Sequence, residues 1–531
     1  MPPPGPQAPA VPPYAPMLML SAPGIQRDGT RLSQTQYVDG MWTRFYQGLP
    51  RKMLGFREQL RTLDGIVRQL DVQSFDGFSY VHAGQQDVLQ RYTIDIQTGL
   101  NSGLIDRTPA GFAADPFNNW QFSIMFDTAN DANLIFAHAA PNIEDISSTT
   151  NFSVYYGEVR DTAALLERTP TAPTDIYQVS GGVVSIWPYL VWYGNDGFVG
   201  WSPPGQPIAT SGSGAGTARP CGNKIVRGLP LRGTSGPACL LWSLDSLVYM
   251  QFIGGTEIFN FTTITTQSAI LSSSGIIEHL GIYYWATVSG FSQFNGVMST
   301  LKNDDNVQFF LDNLNYNMRQ KVFAMKVPRW GEIWWCAPLF GATECNWAII
   351  YNYNEGYWYD TPLPSAGRSA GVYEQIYHYP IMSSPTVNDD THGYSMWQHE
   401  FGLDEISGAV PITRAIKAFI ETNEMSLVAP KQIGTPGIDR NLAYNLLEPD
   451  FNQTGDLFFQ IFSRQNARAT QRSTVAKVIP AVAATPQEEL VKFQHTGRLN
   501  SFYIESNEAG GNFIFGSPLI HATTGDGRRQ D

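Results

Sequence analysis

The chain is short of charge. Of its 531 residues only 15% are Asp, Glu, Lys or Arg, against about 25% in an ordinary soluble domain. Much of the surface is therefore left to Ser, Thr, Asn, Gln, Gly and aromatic side chains, which suits a subunit buried in a large assembly. Lys is scarcest: 9 of the 34 basic residues, against 25 Arg, and Arg suits packed interfaces better than a solvated Lys coat does. The net charge of −13 argues against an ordinary nucleic-acid binder, because phosphate neutralisation needs clustered cations. It suits a surface that DNA slides past, and equally a protein that is simply kept soluble.

Cysteine is also scarce. Cys221, Cys239, Cys336 and Cys345 form no CxxC pair, and their setting predicts buried free thiols. The eight His are spread widely. His392 and His399, with Glu400 adjacent, are the nearest pair, too few for a zinc site that needs three or four converging ligands. No run approaches the roughly 18 apolar residues of a membrane span; Val183–Tyr193 is shorter and holds Pro188. A GxSxG elbow, a phosphate-binding GxxxxGK[ST] loop, an HExxH helix and a Rossmann glycine fingerprint are all missing. The acidic pairs Asp304-Asp305, Asp389-Asp390 and Glu488-Glu489 place neighbours on opposite sides of a strand, whereas a glycosidase needs two carboxylates facing each other. Asp304-Asp305 reads as a helix cap and the other two pairs as solvated loops. These absences predict no catalytic residue, no metal and no cofactor, and a chain that is not an enzyme.

What is abundant is aromatic and turn-forming. The 13 Trp, 24 Tyr and 30 Phe favour strands, and 49 Gly with 35 Pro supply turns. The expected fold is all-β: a β-propeller of four-stranded antiparallel blades over 23–400, a C-terminal β-sandwich-like domain over 401–531, and an extended Pro-rich arm at 1–22. Half of residues 1–16 are Pro, so that arm lies polyproline-like and docks on a neighbour. The clearest blade is Val322–Val327, Ile333–Pro338, Trp347–Tyr353 and Tyr357–Tyr359, a meander of the kind that builds propellers. A second blade is expected through Val183–Trp192, Gly197–Trp201, Leu240–Phe252 and Thr256–Phe261, and a hairpin over 283–297. Helical spacing of Val307, Phe310, Leu311, Leu314 and Met318 predicts one short helix near 306–320, capped by Asp304-Asp305. Residues 203–239 read as a long Gly/Ser/Pro loop making a subunit contact. Ile420-Glu-Thr-Asn-Glu424 returns as Ile504-Glu-Ser-Asn-Glu508, two similar strand ends in the C-terminal domain. Trp42, Arg44, Phe45, Arg51 and Lys52, with Phe56 and Arg57 beside them, interleave rings and cations. This pattern binds single-stranded nucleic acid in some proteins, but in a Gly/Pro-rich setting it points to inter-subunit packing. Arg528 and Arg529 near the C-terminus are further interface candidates.

Several phrases together resemble the β-propeller hub or nozzle proteins of short-tailed bacteriophages, also called packaged-DNA stabilisation proteins. They are IQRDGTRLSQTQYVDGMWTRFYQGLPRKMLGF (25–56), VSIWPYLVWYGNDGFVGW (184–201), the stretch 268–296 with the helix after it, and EIWWCAPLFGATECNWAIIYNYNEGYWYD (332–360). Glu448-Pro-Asp-Phe451, Gly497-Arg498, the run 505–511 and GDGRR (525–529) add to these, about half of the chain in all. The resemblance implies a virion protein assembled in the host cytoplasm, a homohexameric ring or tube in the tail. It would sit below the portal and contact the tail adaptor and the fibres or spikes. Genomic DNA would pass through without sequence-specific binding, retained by the ring and then released. The family has no catalytic residues to carry over, and the long Pro-rich start is a departure from its pattern. The competing reading is a propeller that, like a tail spike, binds or hydrolyses host surface glycan.

Overall fold

In a computed structural model the described residues are 14–19, 21–141, 153–168, 179–364, 367–429, 438–481 and 490–525. Residues 1–13 of the Pro-rich arm, Glu488, Glu489, Arg528 and Arg529 lie outside them. Strands account for 52% of the structure and helix for 4%, so the class is all-β. Among the described residues, 56–414 form seven sheets in chain order, six of them four-stranded antiparallel meanders. The seventh runs Ala370–Val372, Ile381–Val387, Tyr394–His399, and then takes a strand from before the first sheet, Phe56–Leu63. His399 stands opposite Phe56 and Tyr394 opposite Leu63. Glu405–Ser407 and Ile412–Arg414 widen this sheet to six strands.

The arrangement is propeller-like, and the side-chain period of two explains how it packs. In Glu332–Ala337, consecutive indoles point to opposite faces of the sixth sheet. Trp335 joins Tyr284, Phe291 and Ile349 between the fifth and sixth sheets. Trp334 joins Met382 and Trp397 of the seventh. The same two-faced burial recurs around the chain, so each sheet shares an apolar core with the next. A further core puts Leu70 and Val81 of the first sheet against Ile381 and Met396 of the seventh.

The meander expected at 322–361 is observed as Phe323–Val327, Glu332–Ala337, Trp347–Asn352 and Trp358–Pro362. Gly331, at φ 72°, takes the left-handed position its tight turn requires. The second expected blade divides differently. Val183–Trp192 is a hairpin turning at Trp187-Pro188, within the third sheet, and Leu240–Phe252 belongs to the fourth. The region 203–239 is not one loop: Gly216–Ala218 is the outer strand of the third sheet and Ile225–Pro230 the inner strand of the fourth. The helix α1 is Val307–Asn313, followed by a 3-10 turn at Tyr316–Lys321. Asp304-Asp305 does not cap it. Asp28 does, accepting from the backbone N–H of Gln308 and of Phe309, both at 2.7 Å.

The remaining described strands form a second module from both ends of the chain. Ala15–Leu18 pairs with Leu519–Thr524, Asp39–Met41 with Ala418–Glu421, and Leu49–Lys52 with Asn512–Phe515. Residues 15–52, read from sequence partly as a free arm and partly as propeller, thus supply strands to the C-terminal sheets. The repeated Ile-Glu phrases face each other: Ile420 stands directly opposite Ile504 in an antiparallel pair.

Candidate functional site

The interleaved rings and cations of the N-terminal region do form an interface, within the chain itself. Trp42, Arg44, Phe45 and Lys52 are all buried between the C-terminal module and the sixth and seventh sheets. Arg44 is fully buried. It donates to Glu400 at 2.8 Å and 2.6 Å and pairs through Nε with Glu332 at 2.9 Å. Trp334 Nε1 and the Tyr359 hydroxyl each donate to Glu332 at 2.7 Å, and Trp330 Nε1 donates to Glu400 at 2.6 Å. Burial opposes the Arg44 charge, but Glu332 and Glu400 together hold its pKa above the ordinary value. Burial raises the pKa of Glu332, with Arg44 pulling the other way. Lys52 donates to the Gly511 carbonyl at 2.8 Å, and burial lowers its pKa to about 8. Arg51 is partly exposed and stacks on Trp330 at 4.7 Å. These side chains are therefore not free to pack on another subunit or to bind nucleic acid, Arg51 excepted.

The innermost strands of the seven sheets begin at one place. Arg68, Asn119 and Val226 on such strands, and Gly181, Ser274, Lys321 and Ser369 just before the other four, line two neighbouring cavities of about 10 Å³ each, the size of a single water. Asn119 Nδ2 donates to Ser273 Oγ at 2.7 Å, and Ser274 Oγ lies 2.9 Å from Asn119 Oδ1 and 3.0 Å from Gln69 Oε1. These bonds cross from the fifth sheet to the first and second. These contacts close the space between the strand starts.

A larger cleft, about 300 Å³, opens on one face of the seventh sheet. Five strands furnish it: Glu58 and Arg61 from Phe56–Leu63, Ser384 and Thr386, Ser395 and Trp397, Glu405 and Ser407, and Ile412 with Arg414. Asp389 and Asp390 come from the turn between the second and third strands. Arg61 pairs with Glu58 at 2.9 Å and with Asp390 at 2.5 Å; Arg414 pairs with Glu405 at 3.2 Å. Glu58 also accepts from the Ser395 hydroxyl at 2.5 Å and the Gly408 N–H at 2.8 Å. Hydrogen bonds from Arg61 and the Ala409 N–H hold the Asp390 carboxyl below its usual range. Asp390, expected in a solvated loop, is thus tied into this site.

His399 is buried and takes no part in it. Arg368 Nε donates to His399 Nε2 at 3.0 Å, so the ring is neutral, and burial with Arg368 beside it keeps the pKa well below normal. Among the described residues no group of three or more His, Cys, Asp and Glu is placed to hold a metal ion. All four cysteines are free. No helix there is long and apolar enough to cross a membrane.

No known family model matches the chain, and no curated protein matches it. Among solved structures similar to it is an exo-β-1,3-galactanase from Phanerochaete chrysosporium, with galactose. The similarity covers 87% of this chain and 99% of that one, at 9% identity and a TM-score of 0.25. The expectation that the chain is not an enzyme is withdrawn: the galactanase is an enzyme, and a likeness at this identity and TM-score assigns this chain neither that activity nor the lack of one. Missing sequence motifs exclude only the chemistries those motifs encode. Catalytic carboxylates on a sheet come from separate strands and leave no contiguous signature.

Proposed function

We propose that the seven sheets close into a seven-bladed propeller on the strand Phe56–Leu63, and that the woven second module is β-sandwich-like. We propose further that the chain is a structural subunit of a short phage tail: the hub or nozzle, arranged as a homohexameric ring below the portal and adaptor. The closed space between the strand starts supports a DNA path between copies rather than through one copy. Each copy's charge of −13 suits a wall past which DNA slides.

The observation that carries an assembly role lies at the end opposite those strand starts. The innermost strands all start at one end, so the turns after the first and third strands gather at the other. There Phe78, Leu100, Trp187, Ile253, Leu280, Val297 and Ile376 are exposed, from 42% at Phe78 to 82% at Leu280. A soluble protein rarely gathers so many large apolar groups at one end unless something docks there. The neighbours in this reading are the adaptor on one side and fibres or spikes on the other. Negative-stain imaging of the purified chain, with immunogold labelling of virions, tests it. Rings with a central hole and gold confined to the tail are expected. A compact monomer, with virions unlabelled, would overturn it.

A further inference from the structure

The cleft on the seventh sheet has an unusual hydrogen-bond inventory. Its acceptors are mostly used: Glu58, Asp390 and Glu405 are each held by an arginine and by a hydroxyl or backbone N–H. Asn388 Oδ1 accepts from the backbone N–H and hydroxyl of Thr391. Two donors have no partner. Trp397 lines the cleft and is only 7% exposed, yet its indole N–H meets no acceptor. Arg61 Nη1 is likewise buried and unpartnered. Buried donors of this kind are costly to leave unmade, so the cleft is short of acceptor atoms.

The missing acceptor does not carry a negative charge. Four carboxylates, Glu58, Asp389, Asp390 and Glu405, face two arginines, Arg61 and Arg414, which leaves the site acidic and repels anions. A cation is disfavoured too, because three of the four carboxylates, Glu58, Asp390 and Glu405, are already paired with arginine. The ligand that fits is neutral and rich in oxygen. Hydroxyl groups suit it, because a single rotating O–H can accept from Trp397 and donate to the exposed Asp389, where a peptide needs two separate groups, its C=O and its N–H, to do the same. Val387 and Ile412, about half exposed at the rim, give an apolar surface for the C–H face of a ring. The volume is at the small end for ligand pockets and suits one or two sugar units. We infer that this cleft binds a neutral saccharide.

Saturation-transfer NMR on the full chain tests this, with glucose, galactose, mannose and N-acetylglucosamine as probes. Transfer to at least one sugar is expected, with millimolar affinity. Trp397→Phe keeps the ring and removes the N–H, and should weaken binding about tenfold, the cost of one buried hydrogen bond. Ile412→Arg fills the cleft from an exposed position without disturbing the core, and should abolish the transfer. No transfer to any of the four sugars overturns the inference, as does transfer unchanged by Ile412→Arg. A synthetic peptide of residues 1–13 showing transfer that Ile412→Arg abolishes, where none of the four sugars shows any, would assign the cleft to a peptide and overturn it equally.

Discussion

Replacing Arg44 by Met should be among the most damaging single changes in this chain, and the damage should depend on pH. Arg44 is wholly buried and is shared by two carboxylates, Glu332 at 2.9 Å and Glu400 at 2.6 Å. Removing it leaves both acids facing each other without a counter-ion. Only Trp330, Trp334 and Tyr359 then remain to donate to them. Breaking a buried pair in this way costs about 3–5 kcal/mol. Burial already raises the folded-state pKa of Glu332 above its unfolded value. Such a group favours the fold below the unfolded pKa, and that contribution is lost as pH rises through the folded one. Without Arg44 the folded pKa rises further, so the deficit should be smaller near pH 5 than near pH 8, by about 1 kcal/mol or more. Urea unfolding followed by tryptophan fluorescence measures it, since Trp330 and Trp334 report on the junction. Adding Glu332→Gln to Arg44→Met should restore part of the loss. A loss under about 1 kcal/mol, or one equal at both pH values, would refute the reasoning.

Three other changes follow from local geometry. Asp28→Ala strips the cap from α1 and leaves the N–H groups of Gln308 and Phe309 unpaired. The cost should be about 1 kcal/mol, with faster amide exchange confined to 307–313; unchanged exchange there argues against the cap. Gly84→Ala would place its Cβ 2.3 Å from the Trp120 ring, which is itself held by a 2.7 Å bond to the Gln85 carbonyl. About 1–3 kcal/mol of destabilisation is expected, and an unshifted urea midpoint would contradict it. Burial lowers the His138 pKa from 6.5 to about 4. Its contribution is therefore full above the unfolded value and is lost as pH falls from about 6.5 toward 4, about 3 kcal/mol in all. His138→Asn should flatten the acid limb of the stability profile by that amount, and an identical limb would dismiss the assignment.

The features legible in the sequence were those whose signals are local. The sixth sheet could be read because its strands alternate strongly and its turns carry their own chemistry, with Gly331 and Gly356 both at positive φ. The region 203–239 was misread because Gly216–Ala218 is an outer strand of three residues, with little apolar area to announce it. The cap on α1 comes from a residue 280 positions away, beyond any window of sequence. The cleft is similar: its residues run from Glu58 to Arg414 on separate strands, and only Asp389-Asp390 stood out, as an acidic pair. The Trp42–Lys52 segment was read correctly in kind and wrongly in partner. Interleaved rings and cations mark a surface to be buried, but composition carries no information about which surface covers it.

That misassigned partner bears on how the two modules depend on each other. From Ala15 the chain runs through the C-terminal module's sheets, crosses the junction near residue 53, and immediately supplies Phe56–Leu63 to the seventh sheet. Completing that sheet thus requires residues about 340 positions apart to meet, the kind of non-local pairing that forms late and slowly. Arg44 lies on the second module, Glu332 on the sixth sheet, and Glu400 just past the seventh sheet's strand Tyr394–His399. The three charges are compensated only when all of these are in place. The seven sheets packed without the second module would expose two acids to an apolar cleft of Trp330 and Trp334. A second module without the seven sheets would strand Arg44. The ionic network therefore adds little net stability over a well-packed apolar core, but it penalises every half-assembled arrangement, and so joins the two modules into one cooperative structure.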